Sequence, residues 1–244
     1  MWLRRSKTNN YLLLLEYCAV ELFLCRHAQP QWVKDDLCVD NPPLTELGRR
    51  QASLLGRRLS RERFDHIYVS PLLRTRQTAE PILSALNRDE VIAPWLEEIR
   101  SPVWQGSPAE RASKAYREER SRSAREQWNG LEGGESMKDF VARIHSGAEK
   151  FLGEHGVHRI EHELPIWHVK NAGERVACIA HAGTNSTVIC HLLGLTPTPW
   201  EWERFVLGHA SITRLEAFKI GDGYTFALSP LSDLEHIPKE DRTF

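Results

Sequence analysis

Arginine and histidine recur in this chain where apolar runs end. Arg26 and His27 follow Leu22-Phe23-Leu24-Cys25, Arg74 lies in the segment Ser70 to Ala79 that follows a second strand-like run, and His181 follows a third, Arg175 to Ala180. Open α/β sheets place their chemistry at the carboxyl ends of strands. A neutral imidazole can attack phosphorus and split a difficult displacement into formation and hydrolysis of a phosphohistidine, which makes His27 the candidate nucleophile. A phosphoryl group in transfer spreads negative charge over its equatorial oxygens and needs fixed donors, a role for Arg26, Arg74 and His181. Arginine suits it because its planar fork pairs with phosphate oxygens and stays charged. The leaving alkoxide needs a proton from a carboxylic acid that later deprotonates water. Glu97 and Glu98 are adjacent, and in an extended segment only one can face the pocket. Glu98 is taken as that residue and Glu97 as its solvent-facing neighbour.

Other polar clusters carry less. The turn Gly183-Thr184-Asn185-Ser186 lacks the lysine and glycine spacing of a nucleotide loop, yet a turn entering a helix there aims backbone N–H groups at an anion. Ala182 and Gln29 join the candidates for the phosphate site, Gln29 with a plain loop role as its alternative. His155, His158, His162 and His168 lack both the i, i+4 pairing and the cysteines of a zinc site, so no metal is expected. Arg76 is left outside the site and His209 is read as a packed strand residue. Trp32 and Trp104 are read as core or lid aromatics rather than substrate platforms.

The elements that position these residues follow from hydrophobic pattern. Val20 to Cys25, Phe64 to Val69, Val91-Ile92-Ala93 and Arg175 to Ala180 read as short buried strands. Thr45 caps a helix whose Leu47, Leu54, Leu55 and Leu59 share a face, a second helix begins near Leu72, and a third runs from about Ser136 to Leu152. Strands alternating with helices predict an α/β fold with a largely parallel sheet. The stretch Pro108 to Trp128 is charged and helical in pattern, fitting a lid, and its interleaved glutamates read as a solvated face.

The 244 residues, 41% of them hydrophobic, can bury the core of one large domain. A net charge of −1 gives no reason to expect nucleic acid or an anionic membrane as partner. Five cysteines without a Cys-x-x-Cys pair fit a reducing, cytoplasmic setting. Near the N-terminus Glu16 and Glu21 interrupt an apolar stretch too short to span a bilayer, so residues 1–19 read as an extension and 20–244 as the domain, with a helical insertion at about 107–130.

Several ordered motifs resemble the histidine phosphatase superfamily, also called phosphoglycerate mutase-like. They are Arg26-His27-Ala28, the Pro43-Leu44-Thr45 to Gln51-Ala52 segment, Ser70-Pro71-Leu72 to Thr78-Ala79, Glu98 with Trp104-Gln105-Gly106, Gly133-Gly134-Glu135-Ser136 and His181-Ala182-Gly183. The resemblance implies a three-layer α/β/α sandwich, a phosphohistidine on His27, a phosphate pocket of Arg26, Arg74 and His181, Glu98 as proton donor, and neither metal nor cofactor. Ala28 and Ala182 replace common glycines, and Pro30, Val33 and Pro102 also depart from the pattern, which bears on the substrate pocket more than on the core chemistry. Metal-independent hydrolysis of a small phosphorylated metabolite is the expected function. The alternatives are a mutase-type phosphoryl transferase and a non-catalytic phosphate-binding module. A homodimer is left open.

Overall fold

The computed structural model describes residues 18–161 and 163–244. The expected N-terminal extension, except for its last two residues, and His162 lie outside the described residues. Nine strands are described: β1 (Cys18–Arg26), β2 (Val33–Lys34), β3 (Leu37–Cys38), β4 (His66–Val69), β5 (Val157–Arg159), β6 (Trp167–Val169), β7 (Glu174–Ala180), β8 (Ile212–Ile220) and β9 (Gly223–Leu228). The described α-helices are α1 (Glu46–Leu59), α2 (Leu73–Leu86), α3 (Ala109–Arg120), α4 (Met137–Glu154), α5 (Ala182–Leu192) and α6 (Glu201–Arg204). Seven strands form one sheet in the order β4-β7-β1-β8-β9-β6-β5, and β2 pairs with β3 in a small separate ribbon.

Alternation along the central strands builds three layers, because successive side chains of a strand point to opposite faces. Leu22 and Leu24 of β1 with Val176 and Cys178 of β7 face a core shared with Phe140, Ile144 and Phe151 of α4 and Ile189 of α5. Phe23 and Cys25 with Ala177 and Ile179 face the opposite core, built from Leu55 and Leu59 of α1 and Ile82 of α2. Both faces of the strands are therefore apolar, which is why their sequences read as continuous hydrophobic runs.

Local chemistry sets the helix starts. Thr45 caps α1 by accepting the Gly48 N–H at 2.9 Å, and Ser136 caps α4 by accepting the Asp139 N–H at 3.0 Å. Gly56 lets α1 approach α2, since a Cβ there would come within 3.0 Å of the Pro81 backbone.

The parallel part of the sheet is β4, β7 and β1, and the remaining neighbours pair antiparallel. The reason is connection length. Only a two-residue turn, Gly221-Asp222, separates β8 from β9, and so short a link requires antiparallel strands. Val91-Ile92-Ala93 does not form an expected full strand. Ile92 makes an isolated parallel bridge to Val69, and Pro94 then opens a 3-10 turn, Pro94–Leu96. His155, His158 and His168 do not converge. His158 and His168 face each other across β5 and β6, while His155 turns to β4 and β7. No described helix is long and apolar enough to cross a membrane.

Candidate active site

The ends of β1, β4 and β7 lie side by side and are stitched together by backbone hydrogen bonds. The His27 N–H donates to Ala180 O at 2.9 Å, and the Ser70 N–H donates to Ile179 O at 3.0 Å. His27 is thereby set beside His181, with ring centroids 5.1 Å apart. Arg26 projects from the end of β1, Arg74 from the first turn of α2, and His181 is the residue that opens α5. Arg26, His27, Arg74, Glu98 and Ala182 line one cleft of about 750 Å³, with His181 fully buried against His27 and Gln29 away from the lining. That volume lies in the range of small-molecule sites.

Each side chain is held by an identifiable partner. His27 Nδ1 is 2.8 Å from Ala28 O. A carbonyl can only accept, so Nδ1 carries the proton of the neutral ring and Nε2 the lone pair. Burial, then Arg74, His181, Arg26 and His209, push the His27 pKa well below its ordinary value, so the ring is neutral near pH 7. His181 Nε2 lies 2.7 Å from Ser70 Oγ, and burial, Arg74 and Arg26 likewise hold this ring neutral. Arg26 donates to Leu207 O and, at 3.0 Å, to His209 Nε2. Arg74 lies beneath the Trp32 ring at 4.7 Å. Burial lowers both guanidinium pKa values to about 10, and both remain cationic at neutral pH.

Three buried nitrogens here have no hydrogen-bond partner among the described residues: Arg26 Nε, Arg74 Nε and His181 Nδ1, the last a donor when Nε2 accepts from Ser70 Oγ. Buried polar atoms are normally paired, and a group of unpaired donors on cationic or imidazole side chains is the signature of an anion site.

Glu98 sits across the cleft at the N-terminus of α5. Its Oε2 accepts the Gly183 N–H at 2.9 Å and its Oε1 the Ile99 N–H at 3.0 Å. Gly183 makes the seat possible, because a Cβ there would lie 2.6 Å from Glu98 Oε1. The Glu98 charge opposes the lowering of both Arg26 and Arg74 pKa values. Glu97 instead holds Arg100 at 2.8 Å. Arg143 fixes the acidic segment by donating to the Glu97 and Glu98 carbonyls while pairing with Glu135.

Ala182 lines the cleft; Gln29 stands apart, its Oε1 accepting from Thr45 Oγ1 at 2.7 Å. Ala28 and Ala182 are not among the positive-φ residues, so a methyl is tolerated at both places where glycine is common. Arg76 is bound to Glu90 on the surface. Helix α3 covers the cleft through Tyr116, whose ring packs on Trp104 at 5.4 Å, and Arg120 reaches Glu203 of α6. The remaining charges of α3 are paired among themselves or solvated, as in Lys114 with Glu118.

Two residues acquire a place here that their sequence context did not disclose. His209 accepts from Arg26, so its Nδ1 is protonated and donates to Thr243 Oγ1 at 2.9 Å. Gln51 donates to the same Thr243 oxygen at 2.9 Å, tying the guanidinium to α1. Burial and the facing Arg26 lower the His209 pKa to about 3. Ala210 beside it is held in the left-handed region, with φ 56, and directs its N–H to His27 O at 3.1 Å. That conformation costs an alanine about 1–2 kcal/mol. Ser70, the second, had a signal available: it is the first polar residue after β4.

A buried Arg–His–His–Arg cluster at the strand ends of an α/β/α sandwich defines the class of fold and site. Residues 22–223 match the Histidine phosphatase superfamily (branch 1), and the chain belongs to that superfamily. It is 31% identical over 179 residues to Phosphoserine phosphatase 1 of Hydrogenobacter thermophilus, covering 72% of this chain and 77% of the relative. It is 30% identical over 204 residues to a Yersinia pestis protein named Probable phosphoglycerate mutase GpmB, covering 81% and 85%. Among solved structures, YhfR of Bacillus stearothermophilus superposes with a TM-score of 0.68 at 22% identity, over 90% of this chain and all of that one, a likeness of fold.

Proposed function

We propose that the chain is a metal-independent phosphomonoester hydrolase acting through a phosphohistidine on His27, on a small phosphorylated metabolite in the cytoplasm. The observation that carries this reading is the set of unpaired donors, Arg26 Nε, Arg74 Nε and His181 Nδ1, around a neutral His27 whose Nδ1 is already occupied. Substrate phosphate binds between the two guanidiniums and the His181 N–H. His27 Nε2 gives its lone pair to phosphorus as the ester P–O bond breaks, and the departing oxygen takes a proton from Glu98. Water then attacks phosphorus from the position the alcohol has left, Glu98 takes its proton, and the N–P bond breaks to release phosphate and restore His27. The cations act most strongly in the transition state, where charge on the equatorial oxygens is greatest.

The cover supplied by Tyr116 and the Arg120–Glu203 contact favours a small substrate over a protein. Four described cysteines are free and buried, in keeping with a reducing compartment.

The test is hydrolysis of p-nitrophenyl phosphate in EDTA by wild type and His27→Ala, alongside incubation with 3-phosphoglycerate. Metal-independent release of phosphate that disappears in the variant is expected. Isomerisation to 2-phosphoglycerate without net phosphate release would favour the mutase reading, and phosphate binding without turnover a binding module.

A further inference from the structure

At the opposite end of the sheet from the cleft, we propose that His66, His155 and Glu174 bind one divalent transition-metal ion of the zinc class. Glu174 begins β7 and His181 follows its end, so the length of that strand separates this cluster from the phosphate pocket. His66 begins β4, His155 ends α4, and their rings are 5.0 Å apart between centroids.

The ligating atoms converge on one point. His66 Nε2 lies 3.2 Å and His155 Nδ1 2.7 Å from the same oxygen, Glu174 Oε1, and the three atoms fall within 4.8 Å of one another. Bonds of about 2.0–2.1 Å to a tetrahedral zinc ion separate its ligands by about 3.3 Å. The His66–Glu174 spacing already fits, the His155–Glu174 spacing must open by about half an ångström, and the two nitrogens, no more than 4.8 Å apart, must settle at the same separation.

The distribution of contacts argues for a metal rather than a plain hydrogen-bond network. Two imidazoles crowd one carboxylate oxygen while the other, Glu174 Oε2, is buried with no hydrogen-bond partner among the described residues. A network built only of hydrogen bonds gains more by placing one N–H on each oxygen. Three lone pairs aimed at a shared centre give the observed pattern. The outer contact is also in place: His155 Nε2 is 3.1 Å from Tyr68 Oη, so with Nδ1 on the metal the Nε2–H has a fixed acceptor. His66 is half exposed, leaving a route for the ion and room for water as fourth ligand. Two imidazoles and one carboxylate select zinc, cobalt or nickel over magnesium or calcium, which take oxygen donors.

A bound ion would pin the end of α4 to the leading edges of β4 and β7, so its effect is on stability and not on the chemistry of the cleft. The experiment uses the full chain stripped with EDTA, dialysed, and titrated with ZnCl₂ alone, with CoCl₂ as an absorbing substitute. One equivalent is expected to bind, with a visible Co²⁺ band and a Tm rise of about 5–10 °C at a hundredfold excess over Kd. His66→Ala, at a half-exposed position, should abolish the Tm rise and the Co²⁺ band while leaving hydrolysis in EDTA unchanged. Tyr68→Phe should weaken binding about tenfold. A His158→Gln/His168→Gln double variant should bind as wild type does. Absence of binding, binding indifferent to His66→Ala, or binding lost in the double variant would each overturn the proposal. Zinc inhibition that persists in His66→Ala reports imidazoles of the cleft and counts against this site if it accounts for the first equivalent.

Discussion

Replacing Glu98 by glutamine tests the proton-transfer role while keeping the side-chain shape. Both carboxylate oxygens accept backbone N–H groups, Oε2 from Gly183 at 2.9 Å and Oε1 from Ile99 at 3.0 Å. An amide has one accepting oxygen, so its NH₂ must face one of these donors. Leaving a buried donor unsatisfied costs about 1–3 kcal/mol. For a chain of this size the loss lowers Tm by about 2–12 °C, measurable by calorimetry. The catalytic effect is separate. Positioned acid–base groups contribute about 10²–10⁴-fold, and in the step that expels the leaving group only where that group needs the proton. Glu98→Gln should therefore slow an alkyl phosphate by about 10²–10⁴-fold and p-nitrophenyl phosphate far less, because nitrophenolate departs unaided. Steady-state kcat/KM on both substrates in one buffer decides the matter, because it reports the step that expels the leaving group and not the hydrolysis of phosphohistidine, in which Glu98 serves both substrates alike as base. Equal losses would refute the assignment, since a merely displaced α5 slows both alike.

Further expectations follow from the contacts around the phosphate pocket. His209→Ala removes the acceptor of Arg26 and should lower kcat/KM about ten- to hundredfold, the range set by a charge-assisted hydrogen bond, with partial recovery in His209→Gln; unchanged kinetics would count against the positioning role. Trp32→Ala removes the ring over Arg74 and should raise KM about two- to fivefold with kcat nearly constant, as for an exposed cation–π contact. Stability should fall on acidification. The folded-state pKa values of His209 and His191 lie at about 3 and about 4, below the ordinary 6.5, so between those limits the unfolded chain binds protons that the folded one refuses. No penalty exists well above the ordinary value, and below it the two together cost up to about 2–3 kcal/mol per pH unit. Calorimetry from pH 7 to 5 should show a steep drop in Tm, and a flat profile would contradict the burial of neutral imidazoles.

The parts legible in sequence are those where one local pattern carried the information. β1 and β7 are apolar on both faces over most of their length because both faces are covered, and β4 keeps Ile67 and Val69 on its covered face, so they stood out as apolar runs, and a cation ending such a run has few structural uses. The cap Thr45, the start of α4 near Ser136 and the apolar stripe of that helix were equally local. Less legible was the antiparallel half. β9 is only partly buried, and β5 and β6 have three residues each, too short for any period to emerge. His209 escaped for a related reason: it gains its role because β8 pairs antiparallel with β1, which returns the chain to Arg26 from 183 residues away. The histidines of 155–168 show the opposite limit: compared only with one another they offered no metal spacing, whereas the partners of His155, His66 and Glu174, come from across the fold.

The central claim is that phosphate passes through a covalent bond to His27 Nε2. The direct measurement is rapid quench into base during turnover of labelled substrate, followed by peptide mapping. The label is expected to be stable in base, lost in acid, confined to the peptide containing His27, and absent from His27→Ala. Label on another residue, or a His27→Ala variant that turns over at the wild-type rate, would contradict it.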